Sequence, residues 1–171
     1  MLRALAALKR AGGRGASSWQ LRVAGSMEAH PWLGVGLALV RARVRASPNP
    51  SPSPSPNPNP DPNPNQAHPV EATAVRAEAE ALGIASHVEW SGELGGAALA
   101  QLYRTADLFV LTSLYENFCM AAHEATFFGL PLLAYDVGEI ASFRAHLGSV
   151  LLPVGDEAGF SAELARLLRE P

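Results

Sequence analysis

The feature that most constrains this chain is a tract near its middle in which proline alternates with another residue. It runs from Ser47 to Asn65 and carries nine prolines, at every second position from Pro48 to Pro64. Each proline removes a backbone donor and holds the residue before it extended, so neither a helix nor a sheet can include the tract. It also brings no apolar side chains to bury. We therefore expect residues 47–66 to be a disordered insert, a tolerated insertion or gene-model error rather than a ligand for a proline-binding domain.

Composition limits the classes of function. The net charge is −3, from 13 basic and 16 acidic residues, and no basic face emerges, which argues against a nucleic-acid partner. The single cysteine, Cys119, excludes an internal disulfide and any multi-cysteine metal site. No apolar run approaches the ~20 residues of a transmembrane helix.

The opening segment, residues 1–18, lacks acidic residues, as transit peptides do. However, Leu2, Leu5 and Leu8 share one face of a helix that Gly12 would end. We prefer the helix, and with it a cytoplasmic location, and keep the transit peptide as the alternative.

Predicted strands and helices alternate on both sides of the tract. Strands are expected at Leu21–Ala24, His87–Ser91, Leu108–Leu111, Pro131–Tyr135 and Val150–Val154, and further helices at 69–82, Ala97–Ala106, Phe118–Phe128 and behind Asp156. This alternation predicts an α/β fold, a Rossmann-like parallel sheet with helices on both faces. Ligands of such sheets bind at the carboxyl ends of the strands.

Two glutamates follow the buried strand Leu108–Leu111. Glu116 lies in the loop after it, and Glu124 comes eight positions later inside an otherwise apolar helix. Eight helical residues rise about 12 Å, comparable to the reach of a nucleoside diphosphate sugar. The first amides of the helix would offer a site for the diphosphate between the two carboxylates. The alternative is a glutamate stabilised by the helix dipole and another that is merely solvated.

The segment LYRTADLFVLTSLYENFCMAAHEATFFGLPLLAYDVGEI, residues 102–140, resembles the donor-binding domain of family-4 retaining glycosyltransferases, the C-terminal half of the glycosyltransferase-B fold. The matching parts are Tyr103-Arg104-x-Ala106-Asp107, Glu116-x7-Glu124, Gly129-x-Pro131 and Asp136-x-Gly138. Outside the insert, the likeness covers nearly the whole chain. It implies 1–46 as the start of the domain (a helix, a strand and the start of the next helix) and 67–171 as the remainder.

The resemblance also implies roles for individual residues. Glu116, the candidate catalytic residue, would contact the donor sugar, and Glu124 the ribose. The other expected substrate-binding residues are Asn117, Phe118, Cys119, Met120, Gly138 and, bordering the base, Gly25, Val88 and Trp90. The donor would be a nucleoside diphosphate sugar, with no cofactor and no metal.

Some parts of the family pattern differ here. Asn117 and Cys119 stand where glycine is common, and Glu139 follows Gly138 where another glycine is usual. The family's first strand of this domain and its basic pair would precede Met1, as would an N-terminal acceptor-binding domain. The tract interrupts what the resemblance implies is one helix from about Pro31 to Leu82.

Two other classes of protein compete with this hypothesis. One is a non-catalytic nucleotide-sugar-binding or interaction module with the proline tract as its docking segment. The other is a nicotinamide-dependent dehydrogenase, which the Gly34-x-Gly36 motif supports poorly because a third glycine and a preceding strand are absent. The five histidines, His123 among them, show no metal-ligand spacing, and Cys119 has no partner in sequence that would make it a nucleophile.

Overall fold

The computed structural model of the 171-residue chain describes residues 1–11, 19–24, 37–41, 69–92 and 94–169. In these ranges, the helices are α1 (Leu2–Ala11), α2 (Pro69–Ala81), α3 (Gly96–Thr105), α4 (Met120–Phe127) and α5 (Glu157–Arg169), with 3₁₀ turns at Ala85–His87 and Gly138–Ala145. The strands are β1 (Gln20–Ala24), β2 (Leu37–Arg41), β3 (Val88–Gly92), β4 (Leu108–Leu111), β5 (Leu132–Tyr135) and β6 (Val150–Leu152). The predicted insert, 47–66, lies outside the described residues.

The described strands form one sheet in the order β3-β1-β2-β4-β5-β6. β1 pairs in parallel with β3, and β4, β5 and β6 run parallel to one another. Because β2 is antiparallel to both β1 and β4, all the other strands point the same way. Their carboxyl ends therefore lie at one edge of the sheet, where ligands of doubly wound sheets bind.

The sheet separates two apolar cores. Alternate residues of β4 face opposite sides: Leu108 and Val110 pack in one core, and Phe109 and Leu111 in the other. The first core includes buried residues of α1 and α5, which pack against each other. The second includes buried residues of α3, α4 and the Gly138–Ala145 turn. Both faces of the sheet are thus covered, which explains why β4 and β5 are continuously apolar.

The predicted fold class and the predicted strands are confirmed, with boundaries shifted by a residue or two. The opening helix forms as α1, with Leu5 fully buried. Asp156 caps α5 as expected, since its Oδ1 accepts a hydrogen bond from the Gly159 amide at 2.8 Å. α4 begins at Met120, two residues later than predicted. No helix among the described residues is long and apolar enough to cross a membrane.

One prediction is wrong. The resemblance implied one helix from about Pro31 to Leu82, but Leu37–Arg41 forms strand β2. In the common doubly wound order 3-2-1-4-5-6, a parallel strand occupies the central position. Here the antiparallel β2 occupies it, between β1 and β4. Among the described residues of the expected helix, Pro69–Ala81 is helical.

Candidate functional site

The loops after β4 and β5 meet at the carboxyl edge of the sheet. β4 and β5 are neighbours, with Leu111 opposite Ala134, so their following loops start side by side. Gly138 lies against the backbone of Glu116, and the Glu139 amide donates a hydrogen bond to the Asn117 carbonyl at 3.3 Å. The structure thus brings together three predicted site residues, Glu116, Asn117 and Gly138, that come from two separate loops.

Gly138 is a glycine for two reasons. Its φ is +51°, in the left-handed region that L side chains rarely adopt. A Cβ at this position would also overlap the carbonyl oxygen of Glu116 and lie 2.9 Å from its carbonyl carbon. The position of the Glu116 backbone therefore depends on the absence of a side chain at residue 138.

Cys119 connects this loop to α4 in an unusual conformation. Its φ is 50° and its ψ 71°, and it is the only non-glycine residue with positive φ among those the structure describes. Burial, opposed by hydrogen bonds from the Ala122 and Ala121 amides and reinforced by the nearby Glu116 carboxylate, raises the pKa of the thiol to about 11. The thiol is consequently protonated at neutral pH, which is unlike an activated nucleophile.

The strain at Cys119 can be measured. Cys119→Gly should be more stable than Cys119→Ala by about 1 kcal/mol, because only the alanine retains a Cβ in a left-handed conformation. Both variants lose the thiol, so their difference isolates the backbone term. Urea unfolding of the two proteins measures it. Equal stabilities would contradict the positive φ.

Glu124 lies one helical turn into α4 and is half-buried. The sequence indicated that a carboxylate in such apolar surroundings needs a partner, and the partner is Tyr103 on α3. The Tyr103 hydroxyl donates a hydrogen bond to Glu124 Oε2 at 2.9 Å. From the sequence, Tyr103 belonged to the family motif but had no role in the site.

Phe118 and Met120 present large apolar side chains at this edge. They are exposed by 53% and 61%, and Leu114 and Tyr115 in the same loop are exposed by 62% and 57%. The Phe118 ring stacks on His123 with 4.2 Å between centroids. Any contact of Phe118 and Met120 with a polar ligand would therefore be through their backbone amides, as the resemblance implies.

Two buried polar atoms near this edge have no hydrogen-bond partner among the described residues, His123 Nε2 and Asp136 Oδ1. His123 lies between the rings of Phe118 and Phe143. Asp136 follows β5, and its other carboxylate oxygen is paired with Arg144. From the sequence, Asp136 had no role beyond the family motif. Its position directly after a buried strand is the signal that could have identified it as a candidate site residue.

The residues expected to border the base are less favourably placed. Gly25 lies outside the described residues. Val88 is buried at the start of β3, opposite Leu21, so its side chain has little surface for a ligand. Trp90 is half-buried in the middle of the strand, and the Arg76 guanidinium carbon lies 4.9 Å from its ring centroid. The contact with a base stays a prediction.

No group of three or more His, Cys, Asp or Glu residues suited to a metal ion occurs in the described ranges. What the fold and the loops define is a doubly wound α/β domain with polar residues from β4, β5 and α4 gathered at the ligand-binding edge. Many nucleotide-binding domains have this architecture.

Comparison with known families identifies the chain further. The model of the family described as "Glycosyl transferases group 1" matches residues 70–171, and the chain belongs to that family. The match includes every predicted site residue except Gly25.

Curated relatives agree with the family. A GDP-mannose-dependent alpha-mannosyltransferase of Mycolicibacterium smegmatis is 36% identical over 83 residues, covering 47% of this chain and 22% of the relative. A D-inositol 3-phosphate glycosyltransferase of Segniliparus rotundus is 35% identical over 98 residues, covering 57% of this chain and 22% of the relative. The chain thus matches about a fifth of the length of these enzymes.

Solved structures share the fold. The Anabaena protein HepE in complex with UDP aligns over 97% of this chain and 42% of its own, with a TM-score of 0.54 and 19% identity. The lipopolysaccharide outer core galactosyltransferase WaaB, in its apo form, aligns over 58% of this chain and 29% of its own, with a TM-score of 0.51 and 26% identity.

Proposed function

We propose that this chain is the donor-binding part of a retaining glycosyltransferase and binds a nucleoside diphosphate sugar at the carboxyl edge of its sheet. The observation that carries the proposal is the meeting of the loops after β4 and β5, where Gly138 packs on the Glu116 backbone immediately before α4. In this arrangement a sugar at Glu116, a diphosphate at the start of α4 and a ribose at Glu124 would follow one another along the loop and the helix after it.

The chemistry at each position matches a part of the donor. Hydroxyl groups of sugar and ribose donate hydrogen bonds to carboxylates, and such charge-assisted bonds are the stronger ones. The first amides of a helix have no intrahelical acceptor, and the helix dipole favours negative charge there. The same amides would stabilise the diphosphate as it leaves, so that the protein acts mainly by positioning and electrostatics. No step requires a metal or a cofactor.

The comparisons support a nucleotide-sugar donor without naming it for this chain. One relative is described as dependent on GDP-mannose, and HepE has been solved with UDP and with UDP-glucose. The acceptor would be bound by an N-terminal domain outside this chain. Retention of the anomeric configuration rests on the Glu116-x7-Glu124 pattern that resembles retaining enzymes.

Calorimetric titration tests the donor site. The chain is titrated with UDP-glucose, GDP-mannose and ADP-glucose in EDTA, and again with Mg²⁺ in place of EDTA. We expect saturable binding of one donor in both buffers, and Glu124→Ala to weaken it by at least about a hundredfold, because two hydroxyl bonds to a carboxylate are lost.

The matched control is Glu163→Ala. Glu163 is a glutamate of α5 paired on the surface with Arg166, and its loss should leave donor affinity unchanged. A folded wild type that binds none of the three sugars would overturn the proposal, as would equal affinities of the two alanine variants. A requirement for Mg²⁺ would overturn the metal-free part alone.

A further inference from the structure

We propose that Tyr103 is a positioning residue that makes the site selective for ribose over 2′-deoxyribose. Its hydroxyl holds one oxygen of the Glu124 carboxylate, so that the other oxygen is presented to the ribose hydroxyls. This inference rests on the proposed function, because it assumes that Glu124 faces the nucleotide. Tyr103 itself does not touch the donor.

The hydrogen bond runs from the Tyr103 hydroxyl to the Glu124 carboxylate. A tyrosine hydroxyl carries a single proton, and its oxygen lies 2.9 Å from Glu124 Oε2 but 3.5 Å from the Ala121 carbonyl. The proton therefore goes to the carboxylate. Burial, and after it the bond to Glu124, raise the pKa of Tyr103 well above its usual value. The hydroxyl is accordingly protonated, and able to donate, at neutral pH.

The tyrosine ring is itself fixed. Tyr103 is 2% exposed in the core between α3 and the sheet. Its ring stacks on Phe128, with centroids 5.3 Å apart and planes 12° from parallel, and the Arg104 guanidinium carbon lies 5.4 Å from the Phe128 centroid. Phe128 directly follows α4. The stack therefore packs α3 against the end of α4, the helix that carries Glu124. Because the Tyr103 ring is held in this way, its hydroxyl cannot follow the Glu124 carboxylate if the carboxylate rotates.

Holding the Glu124 carboxylate in one orientation matters for recognition of the two adjacent ribose hydroxyls. An unanchored glutamate has several rotamers, and only some of them meet two adjacent hydroxyls, so fixing it in advance reduces the entropy lost on binding. Occupation of Oε2 by Tyr103 also leaves fewer acceptor positions for alternative partners. The 2′-hydroxyl should thus bind strongly only when Tyr103 holds the carboxylate in place.

The test compares ribo- and deoxyribonucleotides. The chain and its Tyr103→Phe variant are titrated with UDP, GDP and ADP and with their 2′-deoxy forms. We expect the wild type to bind the ribonucleotide about ten- to a hundredfold more tightly than its deoxy form, since a bond to a charged acceptor is lost. Tyr103→Phe should reduce this ratio to below about threefold, mainly by weakening the ribonucleotide.

Tyr135→Phe is the matched control. Tyr135 is also buried, 6% exposed, but it packs in the other core against Phe160, so its loss should leave the ratio unchanged. A merely structural effect of Tyr103→Phe would weaken both nucleotides equally, and circular dichroism checks that both variants fold.

The outcomes separate the two proposals. A wild type that discriminates, with a Tyr103→Phe variant that discriminates equally well, would overturn the role of Tyr103 while leaving donor binding intact. A wild type that binds the two forms equally would contradict the ribose contact of Glu124 and the positioning role with it. If the folded wild type binds no nucleotide at all, the proposed function itself is wrong.

Discussion

Replacing Gly138 by alanine is expected to destabilise the protein by about 2–5 kcal/mol and to abolish donor binding. An alanine at φ +51° adopts a left-handed conformation, which costs about 1–2 kcal/mol. Its Cβ would also overlap the Glu116 carbonyl oxygen, and relief of such overpacking typically costs a further ~1–3 kcal/mol. The Glu116 loop must move to make room, and the proposed sugar contact would move with it. Urea unfolding and calorimetric titration measure the two effects.

Gly155→Ala distinguishes the cost of the left-handed conformation from the cost of the steric overlap. Gly155 has φ +85°, but a Cβ there would meet nothing within 4 Å. It should therefore show the conformational cost alone, about 1–2 kcal/mol, and bind the donor normally. If Gly138→Ala and Gly155→Ala were equally stable and both bound the donor, the close packing of the two loops would be wrong.

Strands β4 and β5 could be predicted from the sequence because all of their side chains are buried. A strand covered on both faces needs every side chain to be apolar, and Leu108–Leu111 satisfies this condition alone, without reference to any other segment. The fold class followed from the alternation of such strands with helices.

The candidate site could be predicted only in part. The placement of Glu116 in the loop after β4 and of Glu124 inside α4 follows from a local pattern, whereas their roles stay a prediction. The contact between Tyr103 and Glu124 joins residues 21 positions apart on two helices, and the packing of Gly138 on Glu116 joins two loops. Such pairings depend on how α3, α4 and the sheet pack, which no local pattern encodes.

Strand β2 is a segment whose conformation could not be predicted from its own residues. The family resemblance implied a helix at these residues, whereas LALVR, residues 37–41, is a short apolar run that periodicity does not assign to a helix or a strand. The neighbouring strands determine its conformation. β1 and β4 run in the same direction with one strand position between them, and an extended segment there supplies hydrogen bonds to both. Tertiary context therefore determines the conformation of this segment.

Leu39→Pro is expected to lower the free energy of unfolding by on the order of 3 kcal/mol and the melting temperature by roughly 10 °C. Leu39 pairs with Arg22 of β1 on one side and with Phe109 of β4 on the other. In a central strand every N–H faces a paired neighbour, so a proline necessarily removes a ladder bond and leaves a buried carbonyl without its donor. Thermal unfolding followed by circular dichroism measures the change.

Leu39→Ala is the control, because it shortens the side chain yet keeps the N–H in the ladder. The proline variant should be the less stable of the two by a clear margin, since only it disrupts the backbone pairing. Equal melting temperatures of Leu39→Pro and Leu39→Ala would mean that residues 37–41 do not form the central strand. β1 and β4 would then have to be joined in some other way, and the edge at which Glu116 and Gly138 meet would have a different neighbour on its β1 side.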